Sequence, residues 1–163
     1  MTGIVIERIV DWQDTDAAGH YHYSTVIRWV EAAEAALLDR FRMRWLFGRI
    51  PRVRYEVDYL DRLWFGDVVS IDLSVGELGR LSLRYDFVVT RISAAGEAPG
   101  AEPPTVAVRG ALTAVHAPDP TGGAQPWPAA IAAVLRGGGA PILVPDRAGE
   151  PPTDIPSTSF REV

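Results

Sequence analysis

The chain has 163 residues, 47% of them hydrophobic, and its 16 basic residues against 21 acids leave a net charge of −5. That length suits one domain able to bury a core, and the composition is too apolar for a disordered chain. Cysteine, lysine and asparagine are absent, which excludes disulfides, thiolate and Schiff-base chemistry, a P-loop lysine and an asparagine oxyanion donor. The acidic balance argues against general nucleic-acid binding but leaves individual arginines able to hold phosphates. No apolar run approaches the roughly 20 residues of a membrane span. Met1–Arg8 lacks the basic-then-apolar pattern of a secretion signal. A cytoplasmic protein that neither enters the membrane nor binds nucleic acid is expected.

Ile4 to Val10 is β-branched and predicts a first strand. Asp11 to His22 gathers acids, a glycine and histidines, and predicts a loop. Thr25 to Arg42 places Val26, Val30, Ala33, Leu37 and Phe41 on one helical stripe with Ile27 and Leu38 beside it, so a long, largely buried helix follows. Four alternating segments come next. They are carried by Val53-Tyr55-Val57-Tyr59, Val69-Ile71-Leu73-Val75, Leu81-Leu83-Tyr85-Phe87-Val89 and Val106-Val108-Leu112-Ala114. Gly76–Arg80 is short enough for a hairpin and Ala94–Pro104 makes a longer connection. No helical pattern separates these strands, so an antiparallel sheet is expected. A short helix from Pro128 to Leu135 is predicted, and Gly137–Val163 reads as a Gly/Pro-rich tail in which Ile142-Leu143-Val144 is the compact apolar cluster.

The reactive side chains concentrate just before the long helix, in Asp14-Thr15-Asp16-Ala17-Ala18-Gly19-His20-Tyr21-His22-Tyr23-Ser24. A carboxylate there can attack an acyl carbon or activate water, while unpaired helix N–H groups stabilise an oxyanion. An aspartate ahead of a helix is also a common turn or cap residue. Asp14 reads as an acid that shapes the loop. His20 and His22 stand two apart, so both can line one side of an extended segment. Singly, each reads first as a residue that shapes the loop through a hydrogen bond. Together with Asp14 and Asp16 they form a chemically reasonable ligand set, but no metal is expected. Glu31 and Glu34 read as solvated or ion-paired helix acids, and His116 as structural. Trp12, Trp29, Trp45 and Trp64 read as core or interface residues. Arg52, Arg54, Arg80 and Arg84 suit phosphates as well as they suit solvated strand faces.

One strand, one long helix and four antiparallel strands is the order of a hotdog domain, an α+β fold in which a sheet of about five strands wraps a central helix. Asp16-Ala17-Ala18-Gly19 with Arg28-Trp29-Val30-Glu31-Ala32-Ala33 resembles the Asp-x-x-Gly loop and helix of the 4-hydroxybenzoyl-CoA thioesterase family. Tyr55-Glu56-Val57-Asp58-Tyr59-Leu60, the Phe65-Gly66-Asp67 turn and Arg80-Leu81-Ser82-Leu83-Arg84-Tyr85 are similar to its following strand, turn and hairpin. The resemblance covers residues 4 to 136 and implies a domain over 1–136 with a tail over 137–163.

It further implies hydrolysis of an acyl-CoA or acyl-carrier-protein thioester, with no cofactor beyond the CoA of the substrate. By position Asp16 becomes the catalytic carboxylate and the Tyr23 backbone N–H its oxyanion donor. Glu31 is a reserve base, since some hotdog enzymes use a helix acid. Gly19, His20, His22, Arg52, Arg54, Arg80 and Arg84 become candidate substrate contacts. Sites in such proteins usually form between subunits, so a homodimer or homotetramer is expected. The chain also departs from the family. Ser24-Thr25-Val26 stands where relatives often have a small residue, Asn and Tyr, and His22-Tyr23 reverses the Tyr-His order of one subgroup. Two rival readings are a metal-dependent phosphohydrolase, from Asp14-Thr15-Asp16, and a non-catalytic acyl-CoA-binding protein. A hydratase lacks a fitting His/Asp pair.

Overall fold

The computed structural model of the protein describes residues 2–98 and 100–137. The elements run β1 (Gly3–Ile9), α1 (Thr25–Arg40), β2 (Arg52–Tyr59), β3 (Val68–Leu78), β4 (Ser82–Ser93), β5 (Thr105–Val115) and α2 (Ala129–Leu135). Short 3-10 turns lie at Trp12–Asp14 and Arg44–Leu46. The five strands form one sheet in the order β1-β3-β4-β5-β2, and every pairing is antiparallel. This is the expected hotdog arrangement. The alternating segments left one face of each strand apolar, and α1 supplies the apolar stripe that covers it.

Val26, Trp29, Val30, Ala33, Leu37 and Leu38 of α1 are buried with Ile71, Leu73, Leu83, Tyr85, Phe87 and Val89 of the sheet in one core. Burying a large apolar side chain fully is worth about 1.5–3 kcal/mol, so this interface holds the helix in place. Because β1 and β2 occupy opposite edges of the sheet, the chain between them must cross its whole width, and α1 makes that crossing. Among the described residues no helix is long and apolar enough to cross a membrane.

The structure departs from the sequence reading at several points. Helix α1 stops at Arg40, because Arg42 takes a left-handed conformation (φ 55°). The Arg42 N–H then donates to Asp39 O at 2.8 Å and the Met43 N–H to Leu38 O at 2.7 Å. These two bonds close the helix as a glycine cap would. Strand β3 runs through Gly76 to Leu78, so the hairpin turn is shorter than Gly76–Arg80. Of the tryptophans read as core or interface residues, Trp29 lies in the core, while Trp12 and Trp64 are exposed on the single chain.

The change with most consequence is in β2. Arg52 pairs with Ala114 and Arg54 with Thr113, which leaves Val53 as an extra, bulged residue. The bulge reverses the expected faces at this point. Val53 is 60% exposed, and Arg52 turns to the helix side, where it bonds Glu34. Ile142-Leu143-Val144 and the rest of the predicted tail from residue 138 lie outside the described residues.

Candidate active site

The loop before α1 is a tight, internally bonded turn. Thr15 bridges Tyr21, the Asp16 N–H donates to His20 O at 3.0 Å, and the Gly19 N–H donates back to Asp16 O at 2.9 Å. Gly19 sits at φ 85°, a conformation that a side chain would strain. Asp16 Oδ1 accepts the Ala18 N–H at 2.7 Å, which fixes the direction of the carboxylate. Among the described residues its Oδ2 has no partner. Two contacts tie the turn to the segment after β2. The Tyr21 N–H donates to Leu63 O at 2.8 Å, and His20 bridges Trp64.

Asp14 plays the shaping role expected of it. It is buried, accepts the Asp11 N–H through Oδ2 at 3.1 Å and the Arg28 guanidinium through Oδ1 at 2.9 Å. Its carbonyl receives the His22 N–H and the Thr25 hydroxyl. With both its oxygens engaged, Asp14-Thr15-Asp16 offers one free carboxylate rather than two. Among the described residues no three His, Asp or Glu side chains gather as a metal-binding group.

Asp16, His20, Tyr21 and Tyr23 form one wall of a cleft of about 500 Å³, and Tyr59, Leu60, Asp61 and Arg62 form the other. Tyr23 lies just ahead of α1. Its N–H meets no acceptor among the described residues, while its carbonyl receives the Tyr59 hydroxyl at 2.8 Å. Ser24, at the N-cap, makes no side-chain cap bond to the helix. Its own N–H donates to His22 Nδ1 at 3.3 Å and the Thr25 N–H to His22 O at 2.9 Å, which leaves the Tyr23 N–H open beside the positive end of α1. The Tyr21 hydroxyl is pushed up to about 12 by burial, then by Tyr59 and Asp61. It therefore stays protonated at neutral pH and donates to Asp61 O at 3.2 Å. Burial also raises Tyr59, with Tyr23 adding to the shift. The cleft is thus lined by three phenols, two carboxylates, one imidazole and one guanidinium.

The remaining candidate residues are distributed differently. His22 turns to Ser24, with Nδ1 2.7 Å from the hydroxyl, and its ring packs on Tyr23. Glu31 is exposed on α1 and stands 4.0 Å from Arg52, outside the lining of the cleft. Arg54 pairs with Glu56 at 2.7 Å, and Arg84 with Asp86 at 2.9 Å and Glu56 at 3.2 Å. Arg52 borders a second hollow of about 350 Å³ with Asp119. Arg80 is exposed next to the β3–β4 turn, where its carbonyl accepts the Trp127 N–H. None of these four arginines lines the Asp16 cleft within one chain. His116 is buried against Trp127 with Nδ1 toward the Gln125 and Pro126 carbonyls, the structural role expected.

Two features escaped the sequence reading. Glu34 is fully buried, and burial raises its carboxyl against the opposing pull of Arg52. The second is the far wall of the cleft, of which Arg62 carries the charge able to hold an anion; among the described residues it has no carboxylate partner. A signal for that wall was present. The Phe65-Gly66-Asp67 turn returns the chain to the end of β1, where the N–H of Val10, just past the strand, donates to Asp67 O at 2.8 Å. Residues 60–64 must therefore pass the Asp16 loop on the way.

Comparisons with known proteins agree with this fold. A family model described as the thioesterase-like superfamily matches residues 10–135. No curated protein sequence matches the chain. Among solved structures, a thioesterase from Thermus thermophilus, complexed with coenzyme A and Zn, is 26% identical with a TM-score of 0.68, over 82% of this chain and 91% of that one. A 1,4-dihydroxy-2-naphthoyl-CoA thioesterase from Synechocystis is 17% identical at a TM-score of 0.70, over 82% and 96%. The 4-hydroxybenzoyl-CoA thioesterase of Pseudomonas sp. strain CBS-3 is 21% identical at 0.65, over 79% and 96%.

Proposed function

The chain belongs to the thioesterase-like superfamily, and we propose on that footing that it hydrolyses an acyl-CoA or acyl-carrier-protein thioester to free acid and thiol. The observation that carries the reading is the shared cleft of Asp16 and Tyr23, a directed carboxylate beside the uncapped start of a helix. A thioester carbonyl placed there meets the Asp16 carboxylate on one side and the Tyr23 N–H on the other. Asp16 forms an anhydride or takes a proton from water, and the oxyanion is held by N–H groups already in position.

Arg62 is the cation proposed to meet an anionic part of the substrate at the cleft. Gly19 keeps the turn open and His20 flanks the acyl group, while His22, outside the lining of the cleft, packs on Tyr23. Arg52, Arg54, Arg80 and Arg84 are proposed to reach the phosphates of a thiol bound mainly by a second copy of the chain. A homodimer or homotetramer is proposed because β2 is an open edge beside the cleft, with Val53, Tyr59 and Leu60 exposed.

The test is a panel of aromatic, medium-chain and polyketide-like acyl-CoA esters, assayed for free thiol with and without EDTA. At least one ester is expected to turn over at a rate that chelation leaves unchanged. Tight binding with no turnover across the panel would favour the acyl-CoA-binding rival. Activity only on phosphate esters with added magnesium would favour the phosphohydrolase.

A further inference from the structure

We infer that His20 is the base that activates water for the second half of the reaction; the inference rests on the thioesterase reading of the Asp16 cleft. His20 Nδ1 lies 3.1 Å from the Tyr21 carbonyl oxygen. A carbonyl can only accept, so the neutral ring carries its proton on Nδ1 and its lone pair on Nε2. Nε2 has no partner among the described residues, and the side chain lines the same cleft as Asp16.

The ring is held rather than free. Trp64 meets it edge-on with centroids 5.9 Å apart, and Tyr21 meets it edge-on at 6.4 Å. Its backbone is pinned by the bridge to Trp64 and by the bond from the Asp16 N–H. The cleft that His20 lines is shared with Asp16, Tyr21 and Tyr23 of its own segment and with Tyr59, Asp61 and Arg62 of the segment at the end of β2. Asp16 has one oxygen tied to Ala18 and one free. An orienting hydrogen bond on one nitrogen and an open lone pair on the other is the arrangement a general base requires.

The two groups divide the chemistry. Asp16 Oδ2 bonds to the thioester carbonyl carbon and the C–S bond breaks, giving a mixed anhydride and a thiolate. Water then attacks the anhydride carbonyl as His20 Nε2 takes one of its protons. The anhydride C–O bond breaks, its electron pair returns to Asp16, and the acid leaves. The imidazolium hands its proton to the thiolate, so the site is restored with one thioester and one water consumed.

The experiment uses the ester of the panel that the wild-type protein hydrolyses fastest. His20→Asn keeps an N–H for the Tyr21 carbonyl and supplies no basic nitrogen. In rapid mixing it should release about one thiol per site at close to the wild-type rate, then turn over about 10²–10⁴-fold more slowly. A hydroxylamine-sensitive acyl adduct should accumulate meanwhile. Unchanged kcat, or slow turnover without the burst, would overturn the assignment. The ¹⁵N spectrum of the wild-type ring supplies a second test that needs no variant. A proton on Nδ1 is expected, and a proton on Nε2 contradicts the proposal. If Asp16→Asn hydrolyses normally, the thioesterase reading of the site fails. If that variant is inactive while His20→Asn is normal, only the role of His20 fails.

Discussion

Arg42 holds a left-handed backbone (φ 55°) where a helix usually ends on glycine. An L side chain in that conformation costs of order 1 kcal/mol, and both capping bonds run through backbone N–H groups that glycine also supplies. Arg42→Gly is therefore expected to raise unfolding free energy by about 0.5–1 kcal/mol, since glycine's larger unfolded-state entropy offsets part of the relief. Urea melts would read it, and a destabilised variant would show that the guanidinium holds the turn. At this scale the site was partly legible. Asp16, Gly19 and His20 stand within five residues of one another, so the sequence already brings these candidates together. Glu34 and Arg62 were not legible, because each depends on which distant segment folds over it. A helix glutamate looks the same in sequence whether it meets water or Arg52.

The elements themselves were legible where periodicity spoke. The strands and the long helix follow from alternation and from the apolar stripe of α1, and the structure moved their ends by no more than four residues. The β2 bulge was not legible. Alternation assumes an unbroken register, and one extra residue at Val53 sends Arg52 inward to Glu34. That pair makes stability depend on pH. Glu34 ionises in the unfolded chain near 4.5, but burial raises it in the fold. Over that interval the folded state binds more protons than the unfolded one, so stability falls as pH rises. Denaturant melts across this range should show the decline in wild type and a shallower one in Glu34→Gln. Identical profiles would mean that the Arg52 charge fully offsets burial.

At the scale of the whole molecule, the sheet order exposes both β1 and β2 as edges, and only β2 borders the cleft. Assembly was legible only as an expectation, since sequence does not say which edge or face a second copy would cover. Val53 is the apolar bulge residue on the β2 edge, away from the lining of the cleft. Val53→Lys places a charge on that edge, a common guard against strand pairing. Light scattering should find the parent protein a dimer or larger and the variant shifted toward an 18 kDa monomer, with activity falling on dilution. A parent protein that is monomeric and fully active would leave the site complete within one chain.

The central claim is that the Asp16 carboxylate performs the chemistry, and kcat of Asp16→Asn against Glu31→Gln tests it most directly. Asn keeps the shape and can still accept the Ala18 N–H, but it neither forms an anhydride nor takes a proton. With circular dichroism unchanged, kcat should fall by about 10²–10⁴-fold in Asp16→Asn, while Glu31→Gln stays near wild type. Near-normal kcat in Asp16→Asn with loss in Glu31→Gln would contradict the account and move the reaction to the helix.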